Sequence, residues 1–197
     1  MDDSDLDAGF SQPIFDSQAT FRAILSAMSR PGTVLPLPAT PSAPPELGSG
    51  LGALSLSFAD LDTPIWLDSE TDTDKARDYL AFHCGAPPVI TPALAMFALI
   101  GNPLDLPPLD RFALGEPSYP DRSTTLFIRV RSLSIGRDVT LRGAGIREKT
   151  RLRVDGLPER FWNEWMHNRS LFPLGIDAIL TDDVTVAALP RTTQVDA

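Results

Sequence analysis

The apolar positions of this chain change period several times, and each change marks an element. From Asp16 the stretch DSQATFRAILSAMSRPG sets Phe21, Ile24, Leu25 and Met28 at i, i+3, i+4 and i+7. That spacing predicts an amphipathic helix, entered at Asp16 or Ser17 as N-cap and stopped by Pro31-Gly32. The following VLPLPATPSAPPELGSG holds too many prolines for regular structure and predicts an extended connection. In LGALSLSFAD the helical set Leu51, Leu54, Phe58 competes with the strand set Leu54, Leu56, Phe58, and we favour helix. TPIWLD and MFALIG are short apolar runs, the signature of buried strands. Between them TDTDKARDYLAFHCG opens on Thr/Asp, aligns Ala76, Tyr79 and Leu80 on one face, and closes on Gly85, which predicts a helix.

PLDLPPLDRFALG predicts one or two short helical turns. TTLFIRV, DVTLRGAGI and TRLRVDG alternate as strands, and PERFWNEWMHN reads as an amphipathic helix carrying Phe161, Trp162, Trp165 and Met166. IDAILT and TVAALP form two strands around the turn Asp182-Asp183. Helices mixed with short buried strands, without an internal repeat, predict an α/β layer architecture.

A length of 197 residues fits one domain, 1–197, with residues 1–15 expected to be a flexible acidic arm. Nineteen prolines against 13 glycines imply stiff connections. Asp2, Asp3, Asp5 and Asp7 make the N-terminus acidic, and no run of about 18 apolar residues occurs, so the expectation is a cytoplasmic protein without a membrane segment. Cys84 stands alone and reads as a buried thiol. The net charge of -9 argues against nucleic acid as a partner. Charge is uneven, however: eight of the seventeen basic residues lie between Arg129 and Arg153, beside only Asp138 and Glu148.

Most catalytic signatures are missing. His83 and His167 have no metal-ligand spacing, and Gly143 to Ile146 (GAGI) is a turn between strands rather than a phosphate loop. Lys75 and Lys149 read as solvated, which leaves no lysine for an imine. Two features remain. Alternation in FIRVR and RLRV puts Arg129 with Arg131, and Arg151 with Arg153, on one side of a sheet. Such a face is either solvated or a docking surface for an acidic partner or phosphorylated ligand, because guanidinium forks hold carboxylate and phosphate bidentately. The second feature is a pair of strand ends: Asp60, Asp62 and Thr63 precede one strand, while Arg191, Thr192 and Thr193 follow another that lies after Asp177. Open α/β sheets bind ligands at strand ends, but turns, caps and salt-bridged termini use the same residues.

The ordered set FRAILSAMSRPGTV, LSFADLDTPIWL, FHCGAP, LRGAGI, FPLGIDAILT and PRTT resembles the PhnH family, the H subunits of the bacterial carbon-phosphorus lyase system, from about Phe21 to Val195. The resemblance implies a three-layer mixed sheet with flanking helices, similar to the large domain of pyridoxal-phosphate-dependent transferases but without that cofactor site, and a homodimer. It implies a subunit of a core complex with G, I and J subunits. With G, I and L, that subunit is needed to form α-D-ribose 1-methylphosphonate 5-triphosphate from ATP and methylphosphonate. The family's J subunit breaks the carbon-phosphorus bond by radical iron-sulfur chemistry, and one cysteine cannot hold such a cluster. The expectation is therefore a subunit with neither metal nor cofactor. Its rivals are a stand-alone enzyme or binder of a phosphorylated ligand near Asp62 and Arg191, and a scaffold without a ligand site.

Overall fold

A computed structural model describes residues 9–196. Helix α1 (Pro13–Ser29) is followed by a short strand β1 (Leu35–Pro36), helix α2 (Gly48–Phe58), strand β2 (Ile65–Leu67), helix α3 (Asp74–His83) and strand β3 (Phe97–Ile100). Two 3-10 turns, Pro103–Asp105 and Leu109–Arg111, lead into a hairpin of β4 (Leu114–Glu116) and β5 (Tyr119–Ser123), which the sequence reading did not foresee. Then come β6 (Thr125–Arg129), β7 (Ser132–Arg142), β8 (Thr150–Asp155), α4 (Glu159–Ser170), β9 (Asp177–Thr181), β10 (Thr185–Leu189) and β11 (Gln194–Asp196).

The central sheet has the order β1-β10-β9-β6-β3-β2. Strands β2, β3, β6 and β9 are mutually parallel, while β10 runs antiparallel to β9 and β1 antiparallel to β10. Alternation along each strand divides the core. Leu99, Phe127, Ile179 and Val186 face α1, α2 and α3, where Ile24, Leu51, Leu54 and Tyr79 pack. Ala98, Ile100, Leu126, Ile128, Leu180 and Leu189 face the opposite side, against Phe161, Trp162 and Trp165 of α4 and Val139, Leu141, Leu152 and Val154 of β7 and β8. A sheet covered on both faces needs apolar residues at nearly every position, which is why IDAILT and TVAALP read as continuous runs. A second sheet, β11-β7-β8, lies on the α4 side. Among the described residues no helix is long and apolar enough to cross a membrane.

Several expectations change. Residues 1–8 of the expected arm lie outside the described residues, but 9–15 are no arm: Gly9 bridges Ser42, Phe10 is buried, and α1 already starts at Pro13. Asp16 is not the N-cap but a first-turn residue whose Oδ2 accepts from the Gln12 N–H at 2.8 Å. The inward face of α1 is Thr20, Ile24 and Ala27, whereas Phe21 and Leu25 are 40% and 50% exposed. Ile24 and Met28 of the expected stripe do pack on the core, joined by Thr20 and Ala27, while Phe21 and Leu25 turn outward. In α4 the tryptophans are core: Trp162 and Trp165 are buried, and the Trp165 Nε1–H donates to the Thr193 carbonyl at 3.2 Å. They supply no surface for a dimer.

The arginine face is also divided. Arg129 ends β6 in the central sheet, and Arg131 follows it outside any strand, whereas Arg151 and Arg153 lie on β8 in the smaller sheet. Both β8 arginines are exposed and reach Asp138 Oδ2 at 3.7 Å. The GAGI turn joins β7 to β8 and fits against the end of α1. A Cβ on Gly145, at φ +81°, would stand 2.2 Å from the Ser29 carbonyl oxygen.

Candidate functional site

The two strand-end clusters singled out from sequence both sit at the amino ends of the parallel strands. Asp62 and Thr63 precede β2; Asp177 begins β9; Arg191 follows β10, whose antiparallel course returns it to the same end. They are nevertheless far apart, because β3 and β6 separate β2 from β9 and three strand spacings amount to about 14 Å. Asp62 is an exposed turn residue whose N–H donates to Asp60 Oδ1 at 2.9 Å. Thr63 is buried, and its Oγ1 accepts from the Asp60 N–H at 2.6 Å and donates to the Asp60 carbonyl at 2.9 Å, closing the turn on itself.

Arg191 is held tightly within its own chain. Its Nη2 donates to Asp177 Oδ2 at 2.5 Å and to Ser123 Oγ, its Nε donates to both Asp177 oxygens, and its Nη1 donates to the Pro120 carbonyl at 2.7 Å and the Pro173 carbonyl at 3.4 Å. The Arg191 backbone N–H also donates to Asp177 Oδ1 at 2.7 Å. With side chains 13% and 15% exposed, the Arg191–Asp177 pair is a buried clamp. It ties the start of β9, the end of β10 and the β5 strand together. Thr193 is fully buried; its N–H donates to the Pro190 carbonyl at 2.8 Å, and its Oγ1 has no hydrogen-bond partner. Thr192 is half-buried, and its carbonyl lies so near Gly143 that a Cβ there would be 2.8 Å away. The PRTT turn thus carries the chain from the central sheet to β11 in the smaller one.

The carboxyl ends of β3, β6 and β9 are different. There a cavity of about 350 Å³ is lined by Gly101, Asn102, Pro103, Leu104, Arg129, Val130, Arg131, Gly156, Asp182 and Asp183. Its carboxylates are engaged. Asp182 accepts from Leu133 N–H, Thr185 N–H and Thr185 Oγ1 at 3.0, 2.9 and 2.6 Å. Burial opposes its ionisation, but these hydrogen bonds outweigh burial and hold its pKa below the usual carboxylate value. Asp183 accepts from Gly50 N–H at 2.7 Å and so occupies the N-terminus of α2. Beside the cavity Asp68, 2% exposed, accepts from Thr71 N–H, Thr71 Oγ1 and Asn102 N–H, pinning the ends of β2 and β3 together.

Arg129 is the exception among these charges. Its side chain is 20% exposed, its Nη1 donates to the Pro45 carbonyl at 3.1 Å, and Glu70 Oε1 stands 3.9 Å from its Nη2, too far for a hydrogen bond. Arg131 is exposed on the rim, paired with Asp155 at 2.8 Å.

Elsewhere a second cavity of about 350 Å³ lies between α4 and the turn at Leu109, walled by Leu109, Leu114, His167, Asn168 and Leu171. No sequence signal marked it. Burial pushes the Cys84 thiol up to about 11, and its Sγ–H points to the Ser55 carbonyl at 3.7 Å. Among the described residues no group of three or more His, Cys, Asp or Glu could hold a metal ion.

Comparison with known proteins identifies relatives of this chain. The profile of the bacterial phosphonate metabolism protein family, PhnH, matches residues 8–196. The alpha-D-ribose 1-methylphosphonate 5-triphosphate synthase subunit PhnH of Rhizobium meliloti is 38% identical over 187 residues, 95% of this chain and 94% of that protein. HtxG of Stutzerimonas stutzeri, named as a candidate C-P lyase subunit, is 31% identical over 179 residues, covering 91% of this chain and 85% of its own length. The chain belongs to the PhnH family of bacterial phosphonate metabolism proteins.

Proposed function

We propose that this chain is the H-type subunit of a carbon-phosphorus lyase system, working in the cytoplasm with G, I and L subunits to form α-D-ribose 1-methylphosphonate 5-triphosphate from ATP and methylphosphonate. The carrying observation is the near full-length match to a subunit that bears that synthase's name. The geometry supports a subunit over a stand-alone enzyme. Asp62 and Arg191, which an independent active site would have to combine, lie on opposite sides of two strands, and the donors of Arg191 are directed into its own chain. The four parallel strands with α3 between β2 and β3 are the basis for proposing a likeness to the large domain of pyridoxal-phosphate-dependent transferases. Neither Lys75 in α3 nor Lys149 in the β7–β8 turn is among the residues that line the carboxyl-end cavity.

Partners follow from the exposed surfaces. We propose a homodimer through the outer stripe of α1, where Ile14, Phe21 and Leu25 are exposed and the Phe21 ring lies 5.2 Å from Phe58. Contiguous exposed apolar area of this kind marks an interaction site. The G, I and J subunits would meet other faces, with Arg151 and Arg153 suited to an acidic one. The test is growth of a strain lacking this subunit on methylphosphonate as sole phosphorus source. Restored growth, with the G, I and J subunits copurifying on the tagged chain, is the expected result. Soluble expression with neither growth nor copurification would overturn the proposal.

A further inference from the structure

We infer that the outer edge of β2 is a docking site for an extended, basic segment of another polypeptide, which joins the central sheet as a further strand beside Leu67. β2 is the last strand of that sheet, with β3 on one side only. Its register runs from Ile65↔Phe97 to Leu67↔Leu99, with Phe97 N–H donating to the Pro64 carbonyl and Asp68 N–H to the Leu99 carbonyl. Residues 64, 66 and 68 therefore serve β3, and the main-chain groups of Ile65 and Leu67 turn outward. Ile65 is answered there: its N–H donates to the Pro87 carbonyl at 2.9 Å, and its carbonyl accepts from Val89 N–H at 2.8 Å. The covering segment then leaves the edge. Among the described residues no hydrogen bond reaches the outward N–H or carbonyl of Leu67, although the residue is only 7% exposed. Main-chain groups in so enclosed a place are normally paired. The opposite edge of the sheet makes a contrast, since β1 ends on Pro36, which has no N–H to offer.

Space for the added strand lies on both sides of this gap. Two cavities share Leu67, Arg77 and Pro88. One, of about 160 Å³, is walled by Ile65 and by Leu80 and Ala81 of α3; the other, of about 200 Å³, is walled by Trp66, Val89 and Ile90. Ile65 and Leu67 belong to the core on the helix side of the sheet and Trp66 packs on the other, so the cavities flank the edge from its two faces. Side chains of a strand alternate in direction, and a strand laid along Leu67 puts successive residues into the two cavities. Charge selects the occupant. From Asp60 to Asp78 seven acids stand against Lys75 and Arg77. Arg77 is committed to Asp72 through Nε and Nη2, at 2.6 and 2.8 Å. Asp78, on the wall of the helix-side cavity, makes no ion pair or hydrogen bond through its side chain among the described residues. A cation on the incoming segment complements Asp78, whereas a second copy of this edge would bring acid against acid.

No other subunit is needed for the test, so a failed assembly and a failed edge are read separately. The purified full chain, labelled with 15N, is titrated with the acetylated, amidated heptapeptide Lys-Thr-Val-Val-Val-Thr-Lys, following the Leu67 amide. Two matched peptides serve as controls, one with its central amides N-methylated and one with glutamate in place of lysine. A saturable shift of the Leu67 amide and slower hydrogen exchange there are expected with the first peptide. Affinity should fall roughly fivefold or more on N-methylation, which removes the main-chain donors. It should fall also for the glutamate peptide, and for the lysine peptide in Asp78→Asn, with both differences shrinking at high salt. Ala81→Trp, which fills the helix-side cavity from an exposed position and spares the core, should abolish binding with a native amide spectrum. Absence of a saturable shift at Leu67, equal binding of the N-methylated or the glutamate peptide, or unchanged binding in Ala81→Trp would each overturn the inference. So would a Leu67 shift that follows protein concentration without peptide, because the edge would then pair with a second copy.

Discussion

Truncating Arg191 to alanine removes the side-chain hydrogen bonds to Asp177, Ser123, Pro120 and Pro173 in one step. The Arg191–Asp177 pair is mostly buried, at 13% and 15% side-chain exposure, so the substitution strands a carboxylate in a place that water reaches poorly. Removing one partner of a buried pair costs about 3–5 kcal/mol. The lower end applies here, because the backbone N–H of residue 191 still donates to Asp177 Oδ1 in the variant. For a domain of this length about 3 kcal/mol corresponds to a fall of roughly 6–12 °C in melting temperature. Arg191→Lys keeps the charge but not the planar fork that serves three chain segments, and should lose about half as much. Because a typical domain has about 5–15 kcal/mol in hand, Arg191→Ala should remain folded at moderate temperature and complement there, failing only when growth is warmer. Thermal unfolding and a double-mutant cycle with Asp177→Ala check the assignment; a coupling energy above about 1 kcal/mol is expected. A melting temperature within about 2 °C of the parent, combined with loss of growth on methylphosphonate at every temperature, would refute the structural role and return Arg191 to a ligand or partner.

Two further outcomes follow from titrating groups. Asp182 has a folded pKa below its unfolded value, so its contribution is present above the unfolded carboxylate pKa of about 4 and is lost as pH falls through the folded pKa. Asp182→Asn should therefore unfold more easily than the parent in urea at pH 7, with the difference shrinking as the pH falls below about 4; a difference that stayed constant with pH would contradict the hydrogen-bond argument. Cys84, with its thiol raised to about 11, should be about one-thousandth thiolate at pH 8 and react with iodoacetamide far more slowly than free cysteine. Modification at the rate of a free thiol would show that burial does not control it.

The helices and most strands were readable from the sequence because their signals are local. Thr73 caps α3 by accepting from Ala76 N–H, and Gly85 takes the positive φ that ends it, as the residue types require. What the sequence could not show was which face wins when two faces are apolar. In α1 the stripe Phe21, Ile24, Leu25 and Met28 satisfied the periodicity; the core took Ile24 and part of Met28, added Thr20 and Ala27, and left Phe21 and Leu25 outside. Moment arguments weigh hydrophobicity, while packing against a sheet weighs how closely two backbones approach. The exposed Phe21 and Leu25 are then the residue of that choice and the basis for the proposed dimer. The β4–β5 hairpin escaped for a related reason, since YPDRS has neither apolar alternation nor a strong turn dipeptide, and its pairing with β4 is irregular.

Strand direction decided the candidate site. Alternation says which side chains share a face, but a strand reads alike whether it runs parallel or antiparallel to its neighbour. PRTT follows a strand, so a sequence reading naturally sets Arg191 at a carboxyl end. Because β10 turns back on β9, that carboxyl end coincides with the amino ends of the parallel set, where Asp177 and Ser123 wait to match the guanidinium. Arg129, by contrast, ends a parallel strand, and nothing in FIRVRS distinguished it from Arg151 or Arg153 on an alternating face. Only the topology separates these arginines: β8 gives exposed charges shared with Asp138, β10 gives a saturated clamp, and β6 sets Arg129 beside a cavity, bonded to the Pro45 carbonyl and facing Glu70.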